Sequence, residues 1–406
     1  MRATTMPQVG ARNELVVLRA IRVSPDGVDQ SELMERCGLS RQAVSQITRR
    51  LIDRGLVRAT PVHTNRRGKP AMSMQVEPRS MLAAGAHLDP AHITVTLVDM
   101  LARPIAKRSL DRPGGDPAAD VERLGAALDD MLRELGAELP DGREDEAPAL
   151  ATGVQGIGVA APGGLDAAHG TVVAPPWLPG WRDVPLLDMI RARTGLPAVL
   201  DKDTNAALTA ECWPGRFAVQ ETVLYLYVGA GVGSAVAGDG TIHRGATGQA
   251  GEIGHLPTGL DSTRCRCGRL SCLALHTDMN RFLDKARRAG VPLDPQAPDA
   301  AALATLQERA HDGDAAARTV VEEYGAALGE AVRTLISIPD PHRVIVGGPY
   351  WGYLAEHAMP QAQLVARRAR DGAHEVPVTS STFGDDVGAI GAATLFLERK
   401  LSPVTA

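Results

Sequence analysis

Ser40-Arg41-Gln42-Ala43-Val44-Ser45-Gln46-Ile47-Thr48-Arg49-Arg50-Leu51-Ile52-Asp53-Arg54-Gly55 is the stretch from which the front of the chain is read. Ser40 suits a helix N-cap, because its hydroxyl accepts from a backbone N–H that the first turn leaves unpaired. Gly55 suits a stop, because glycine enters the left-handed conformation without a Cβ clash. Between them Val44, Ile47 and Leu51 recur at helical spacing and form a buried stripe. Arg41, Gln42, Ser45, Gln46 and Arg49 fall on the other faces.

Upstream, Asn13 to Val23 has apolar residues at helical spacing and Pro25-Asp26-Gly27 breaks it. A short helix, Gln30 to Cys37, stops at Gly38. Downstream come Leu56 to Ala59, a tip at Thr64-Asn65-Arg66-Arg67-Gly68-Lys69-Pro70, and a returning strand near Met72 to Val76. That order is a helix, a helix-turn-helix and a β wing. In such a unit the third helix enters the major groove, and arginine and glutamine read guanine and adenine there. Arg66, Arg67 and Lys69 of the wing would lie against phosphate or in the minor groove. Residues 1–80 carry 14 Lys and Arg against 7 Asp and Glu, which leaves −12 for the remainder of a chain of net charge −5. A basic head on an acidic body suits a polyanion at the head alone. The alternative is a helical bundle for protein contacts with a basic surface. A single module reads a short site, so the expected partner is a two-fold double-stranded DNA operator bound by a homodimer or homotetramer.

From Met81 the period changes. Ile93, Val95 and Leu97 alternate with Thr94 and Thr96, as in a half-buried strand. A Gly- and Pro-rich loop over 111–120 leads to a helix from Val121 to Leu135, and Ala137 to Pro148 reads as an exposed insertion. The strand–turn–strand from Val223 to Ala237 resembles the one over 83–98, which suggests two related lobes. Helices over 300–337, a strand at Val344-Ile345-Val346 and a closing helix over 387–401 complete an α/β body. The chain has 406 residues, room for two or three domains, and its 44% hydrophobic and 22% charged content is that of a soluble globular protein. No apolar run reaches 18 residues and the N-terminus lacks a signal-peptide pattern, so no membrane association and a cytoplasmic location are expected. Cys37 and Cys212 stand alone, whereas Cys265, Cys267 and Cys272 crowd into eight residues, a metal-binding pattern before a disulfide one.

From the wing onward the chain resembles the ROK family (repressor, open reading frame, kinase). The resemblance is carried by Arg66-Arg67-Gly68-Lys69-Pro70-Ala71, by 156–163 (GIGVAAPG) and by 181–186 (WRDVPL). Asp201-Lys202-Asp203-Thr204-Asn205-Ala206-Ala207 and Ala250-Gly251-Glu252-Ile253-Gly254-His255 add to it, the latter followed by Cys265-Arg266-Cys267-Gly268-Arg269-Leu270-Ser271-Cys272. It implies a two-lobed actin-like ATPase fold, ribonuclease H-like and duplicated, of the sugar-kinase type. Residues 1–78 would form the winged helix-turn-helix. The first lobe would be 79–202 with the closing helix against it, and the second lobe 203–386 with a zinc site. The resemblance supplies His255 as fourth ligand to Cys265, Cys267 and Cys272. Four protein ligands leave no open position, so a Zn²⁺ held there would be structural. The alternative is a set of reduced, metal-free cysteines.

The family's kinases grip phosphate with an Asp-x-Gly-Gly-Thr-Lys segment, and the same register here reads His87-Leu88-Asp89-Pro90-Ala91-His92. Proline lacks an N–H, side chains block close approach, and Asp89 repels phosphate. The expectation is a body that is not an enzyme, with no catalytic residue. Gly229-Ala230-Gly231-Val232-Gly233 fits a phosphate turn or a tight hairpin equally. Sugar contacts of the family fall on Asp203, Glu252 and His255, with Lys202 and Ala274 departing from its Asn and Glu. An inward Lys202 would favour an anionic ligand such as a sugar phosphate; a Lys202 paired with Asp201 would leave a neutral-sugar site or none. The leading reading is a sugar-responsive regulator, more often a repressor, of carbohydrate-related genes. An active kinase with a DNA-binding head and a ligand-blind DNA-binding protein are the alternatives.

Overall fold

The computed structural model describes residues 6–62, 71–136, 153–175, 177–215, 217–367 and 375–401. The wing tip with Arg66, Arg67 and Lys69 and the insertion expected over 137–148 lie outside these residues. Helix α1 (Met6–Arg22) starts a turn and more before the expected Asn13. In α2 (Gln30–Cys37), Asp29 accepts from the Glu32 N–H and Gly38, at φ 63°, ends the helix. In α3 (Arg41–Asp53), Ser40 accepts from the Ala43 N–H at 3.3 Å, and Gly55 takes φ 68° just beyond. The Ser40 cap and both glycine stops are those expected, and Val44, Ile47 and Leu51 are buried together with Leu18, Ile21 and Leu33. Strand β1 (Val57–Val62) pairs antiparallel with β2 (Ala71–Val76), and Val28 bridges Met74 as a third short strand. A winged helix results.

The body opens with β3 (Leu82–Leu88), β4 (His92–Val98) and β5 (Pro104–Asp111), followed by α4 (Pro117–Glu134), which Asp116 caps. Strand β6 (Val154–Ala161), the small hairpin of β7 (Leu165–Asp166) and β8 (Thr171–Val172), α5 (Leu186–Thr194) and β9 (Ala198–Lys202) complete this lobe. Helix α6 (Asp203–Cys212) leads into β10 (Val223–Val228), β11 (Val232–Gly238) and β12 (Thr241–Ile242). Then follow α7 (Ala274–Thr277), α8 (Met279–Arg288), α9 (Asp299–His311), α10 (Ala315–Leu335), β13 (Arg343–Gly347), α11 (Trp351–Arg367), β14 (Val378–Ser380) and α12 (Val387–Leu401).

One sheet runs β5-β4-β3-β6-β9 and the other β12-β11-β10-β13-β14. In each, three antiparallel strands are followed by two parallel ones in the same order. That identity is the duplication the two hairpins hinted at, and it is the two-lobed actin-like architecture expected. Val223 to Val228 is apolar and buried throughout, as a central strand covered on both faces must be.

Helices α6 and α12 pack against each other and lie between the sheets, α12 over β3, β4, β6 and β9 and α6 toward β10 and β11. The approach is too close for side chains: a Cβ on Gly158 of β6 would stand 1.7 Å from the Ala392 carbonyl, and one on Gly391 of α12 2.2 Å from that of Ala206. The glycines of the 156–163 motif and of α12 are therefore packing glycines at these two points. The head joins the body through a continuous apolar cluster running from Leu18 and Ile21 to Trp213 and Leu397. At the joint the Arg22 guanidinium sits 3.5 Å from the centre of the Trp213 ring and donates to the Trp213 carbonyl.

Gly158→Ala forces a backbone shift in this contact, with an expected loss of about 1–3 kcal/mol in urea unfolding. Gly10→Ala, on an open part of α1, serves as the contrast. It is expected to raise stability by up to about 1 kcal/mol in the same measurement.

Candidate functional site

Helix α3 turns Val44, Ile47, Thr48 and Leu51 into the head. Arg41, Gln42, Ser45, Gln46 and Arg49 are all exposed, and among the described residues no ion pair engages Arg41 or Arg49. The next two arginines behave differently. Arg50 Nε and Arg54 Nη1 both reach Glu14 of α1, at 3.2 and 2.5 Å. One carboxylate thus fixes the back of α3 to α1 while the front stays free for an outside partner.

The interlobe cleft is lined by Asp89, Pro90, Trp177, Lys202, Asp203, Tyr227 and Glu252 among others. Lys202 and Asp203 stand where β9 passes into α6, an end of a parallel strand where α/β proteins commonly place ligands. Lys202 does point inward, with 4% of its side chain exposed, but it is already neutralised: Nζ pairs with Glu252 and donates to the Ala250 carbonyl at 3.1 Å. Asp201, offered as its alternative partner, instead binds Arg244 at 2.7 Å. Asp203 accepts from the Thr204 N–H at 2.7 Å through one oxygen. Burial, only partly offset by that N–H and by Lys202, lifts its pKa to about 7. With Asp89 and Glu252 beside it, the cleft carries more acid than base, which disfavours the anionic ligand considered above.

At the β3–β4 turn the N–H groups of residues 89–91 are accounted for. Asp89 N–H donates to the His92 carbonyl at 3.1 Å, Pro90 has none, and Ala91 N–H donates to the Asp89 carboxylate at 2.9 Å. His87 lies behind the turn, and Tyr227 of the other lobe meets its Nε2 at 3.2 Å. Burial lowers the His87 pKa to about 4, so the ring is neutral at pH 7. The 229–233 turn has a packing reason for Gly233, whose Cβ would press to 2.6 Å from Thr204 Cγ2. Trp177 and Tyr227 on the cleft wall went unnoticed in the sequence, where neither sits in a motif.

His255 is the remaining residue expected at the cleft. It lies with Cys265, Cys267 and Cys272, all four ligand atoms within 4.8 Å of one another. His255 Nδ1 is 3.6 Å from Cys265 Sγ, and Cys267 and Cys272 sulfurs are 3.5 Å apart. Zinc–sulfur bonds of about 2.3 Å at tetrahedral angles put sulfurs about 3.8 Å apart, so the donor set and spacing fit such an ion. Backbone bonds from Leu273 to Leu256 and from Ala274 to Gly254 tie the cysteine loop to the segment following Glu252.

Among the described residues no helix is long and apolar enough to cross a membrane. A MarR family model matches residues 11–68, the winged helix. The xylose repressor of Caldicellulosiruptor bescii is 26% identical over 341 residues, 82% of each chain. The crystal structure of a ROK family transcriptional regulator homologous to the Escherichia coli MLC protein superposes with a TM-score of 0.74 at 20% identity, over 97% of both chains, and shares the whole fold. The ROK hexokinase of Thermus thermophilus matches 79% of this chain and 99% of its own, with a TM-score of 0.61 at 28% identity, so kinases stand among the relatives as well. The ROK family model itself spans residues 143–399, well over half of the sequence, and the chain belongs to that family.

Proposed function

We propose that this ROK protein is a sequence-specific DNA-binding transcriptional regulator, a repressor, whose cleft senses a neutral sugar without phosphorylating it. The observation that carries the reading is the free face of α3: Arg41, Gln42, Ser45, Gln46 and Arg49 are outward on a winged helix while Arg50 and Arg54 are held from behind. Arg66, Arg67 and Lys69 of the wing add phosphate or minor-groove contacts, and homodimers or homotetramers present two heads to a two-fold operator. The xylose repressor relationship supports the regulatory role.

Two features of the cleft support sensing over catalysis. Phosphoryl transfer needs backbone N–H donors and positive charge around the phosphates. The turn at 89–91 has its N–H groups already used and presents Asp89. Asp203 and Glu252 are acceptors suited to hydroxyl groups, and Lys202 orients Glu252. The His255, Cys265, Cys267 and Cys272 cluster would hold Zn²⁺ as a closed structural centre, bracing the segment that carries Glu252.

Arg41→Ala and Gln42→Ala are each expected to weaken binding to the DNA upstream of the protein's own gene by about 1–3 kcal/mol, while scrambled DNA is little affected. Fluorescence anisotropy reads this, and equal losses on both DNAs would remove α3 as the reading element. For the cleft, a coupled ADP-release assay with ATP and D-glucose or D-xylose is expected to stay at background. Because the Asp203 carboxylate is available only above its folded pKa of about 7, sugar affinity is expected to rise about tenfold from pH 6 to pH 8 and to lose that rise in Asp203→Asn. Calorimetry across that range checks it. The purified protein should carry one zinc per chain, lost in Cys267→Ser with a fall in melting temperature; an unchanged metal content by mass spectrometry would refute the centre.

A further inference from the structure

We infer that the loop over 243–252 transmits the state of the cleft to the DNA-reading head, through an ionic chain that ends on α1. The inference rests on the reading of the cleft as a sensor. Its anchor is the pair Asp201 and Lys202, consecutive at the end of β9. Their side chains leave the strand on opposite faces, as strand geometry requires. Lys202 reaches into the cleft and holds Glu252, the last residue of the loop. Asp201 reaches out of the back and holds Arg244, near the loop's start, at 2.7 Å. Two adjacent residues therefore clamp both ends of one loop.

Beyond Arg244 the chain continues. Its Nη2 is 4.0 Å from Glu398 on the last turn of α12. Glu398 lines one cavity with Arg19, Arg22 and Trp213, and its carboxylate feels the charges of both arginines. Arg19 and Arg22 are the end of α1, and Arg22 is buried against Trp213. Glu14, on the same helix, grips Arg50 of α3 and Arg54 just beyond it. From Glu252 to α3 the links are thus ion pairs, the adjacency of Lys202 and Asp201 on β9, the cavity where α12 meets the end of α1, and α1 itself. A neighbouring cavity of about 430 Å³, lined by Asp201, Arg244, Glu398 and Arg399, leaves Arg244 room to change partner.

The bistable element is the Glu252 carboxylate, which has Lys202 as one partner and ligand hydroxyls as the other. A ligand that draws Glu252 away releases one end of the loop. The free energy it can pass on is its preference for that released state. Arg244 then loses its fixed distance to Glu398, and α1 loses a counter-charge at its joint with the body.

The test needs no ligand. Lys202→Met in the full-length protein removes the Glu252 clamp with a side chain of similar length, and hydrogen exchange reads α1. Amides over 14–22 are expected to exchange at least about fivefold faster than in the unmutated protein, while α10 stays within about twofold as a control for global stability. In an Arg244→Gln background the same substitution is expected to add less than about twofold. Glu252→Gln breaks the same pair from its exposed end and should reproduce the α1 response if Lys202→Met folds poorly. An α1 that stays within twofold when the pair is broken, or a response undiminished in Arg244→Gln, overturns the inference. Failure of every sugar to bind counts against the sensing role instead and leaves this measurement intact.

Discussion

The contact on which the molecule depends is the pressing of α12 against β6 and α6 at distances that only glycine allows. A helix this close to a sheet has no play along its axis, since packed interiors resist even single methylenes. Its two ends are therefore fixed to two different tasks. The N-terminal end lies behind His87 and the cleft, and the C-terminal end carries Glu398 to the joint with the head. Helix α6, held by the same contact, sets Asp203 at the cleft wall.

A fold shared by hexokinases and transcriptional regulators does not itself decide the chemistry. The proposed reading turns on three residues, 89–91. An Asx-type bond from Ala91 to Asp89 and a proline between them make this turn a self-satisfied hairpin. The same lobe then gains a polar link to its neighbour through His87 and Tyr227. That contact holds the lobes to each other.

Much of this was legible beforehand, and the reasons are local. Ser40, Gly38 and Gly55 mark the helix ends because caps and left-handed stops are properties of a few neighbouring residues. The duplicated hairpins show in alternation, and the three clustered cysteines in crowding. Lys202 was harder: its pairing with Glu252 spans 50 residues and decides whether the cleft looks cationic or acidic. The Arg22–Trp213 joint spans 191 residues and carries no motif at all. His255 was given two duties, and its ring can be seen turned to the thiols. Contacts between distant segments set the electrostatics of the cleft, and one-dimensional pattern reaches them only through a family's record.

Glu14 has a further effect on how the head meets DNA. Of the four arginines on and just after α3, it engages two, so Arg50 and Arg54 approach a duplex already partnered. Each phosphate neutralised by a free cation releases condensed counterions, steepening the dependence on salt by about 0.9 in the logarithm. A helix with two of its guanidiniums internally committed gives a shallower salt dependence than its composition suggests. The balance between searching along the genome and halting at one sequence is then shifted toward base-edge contacts.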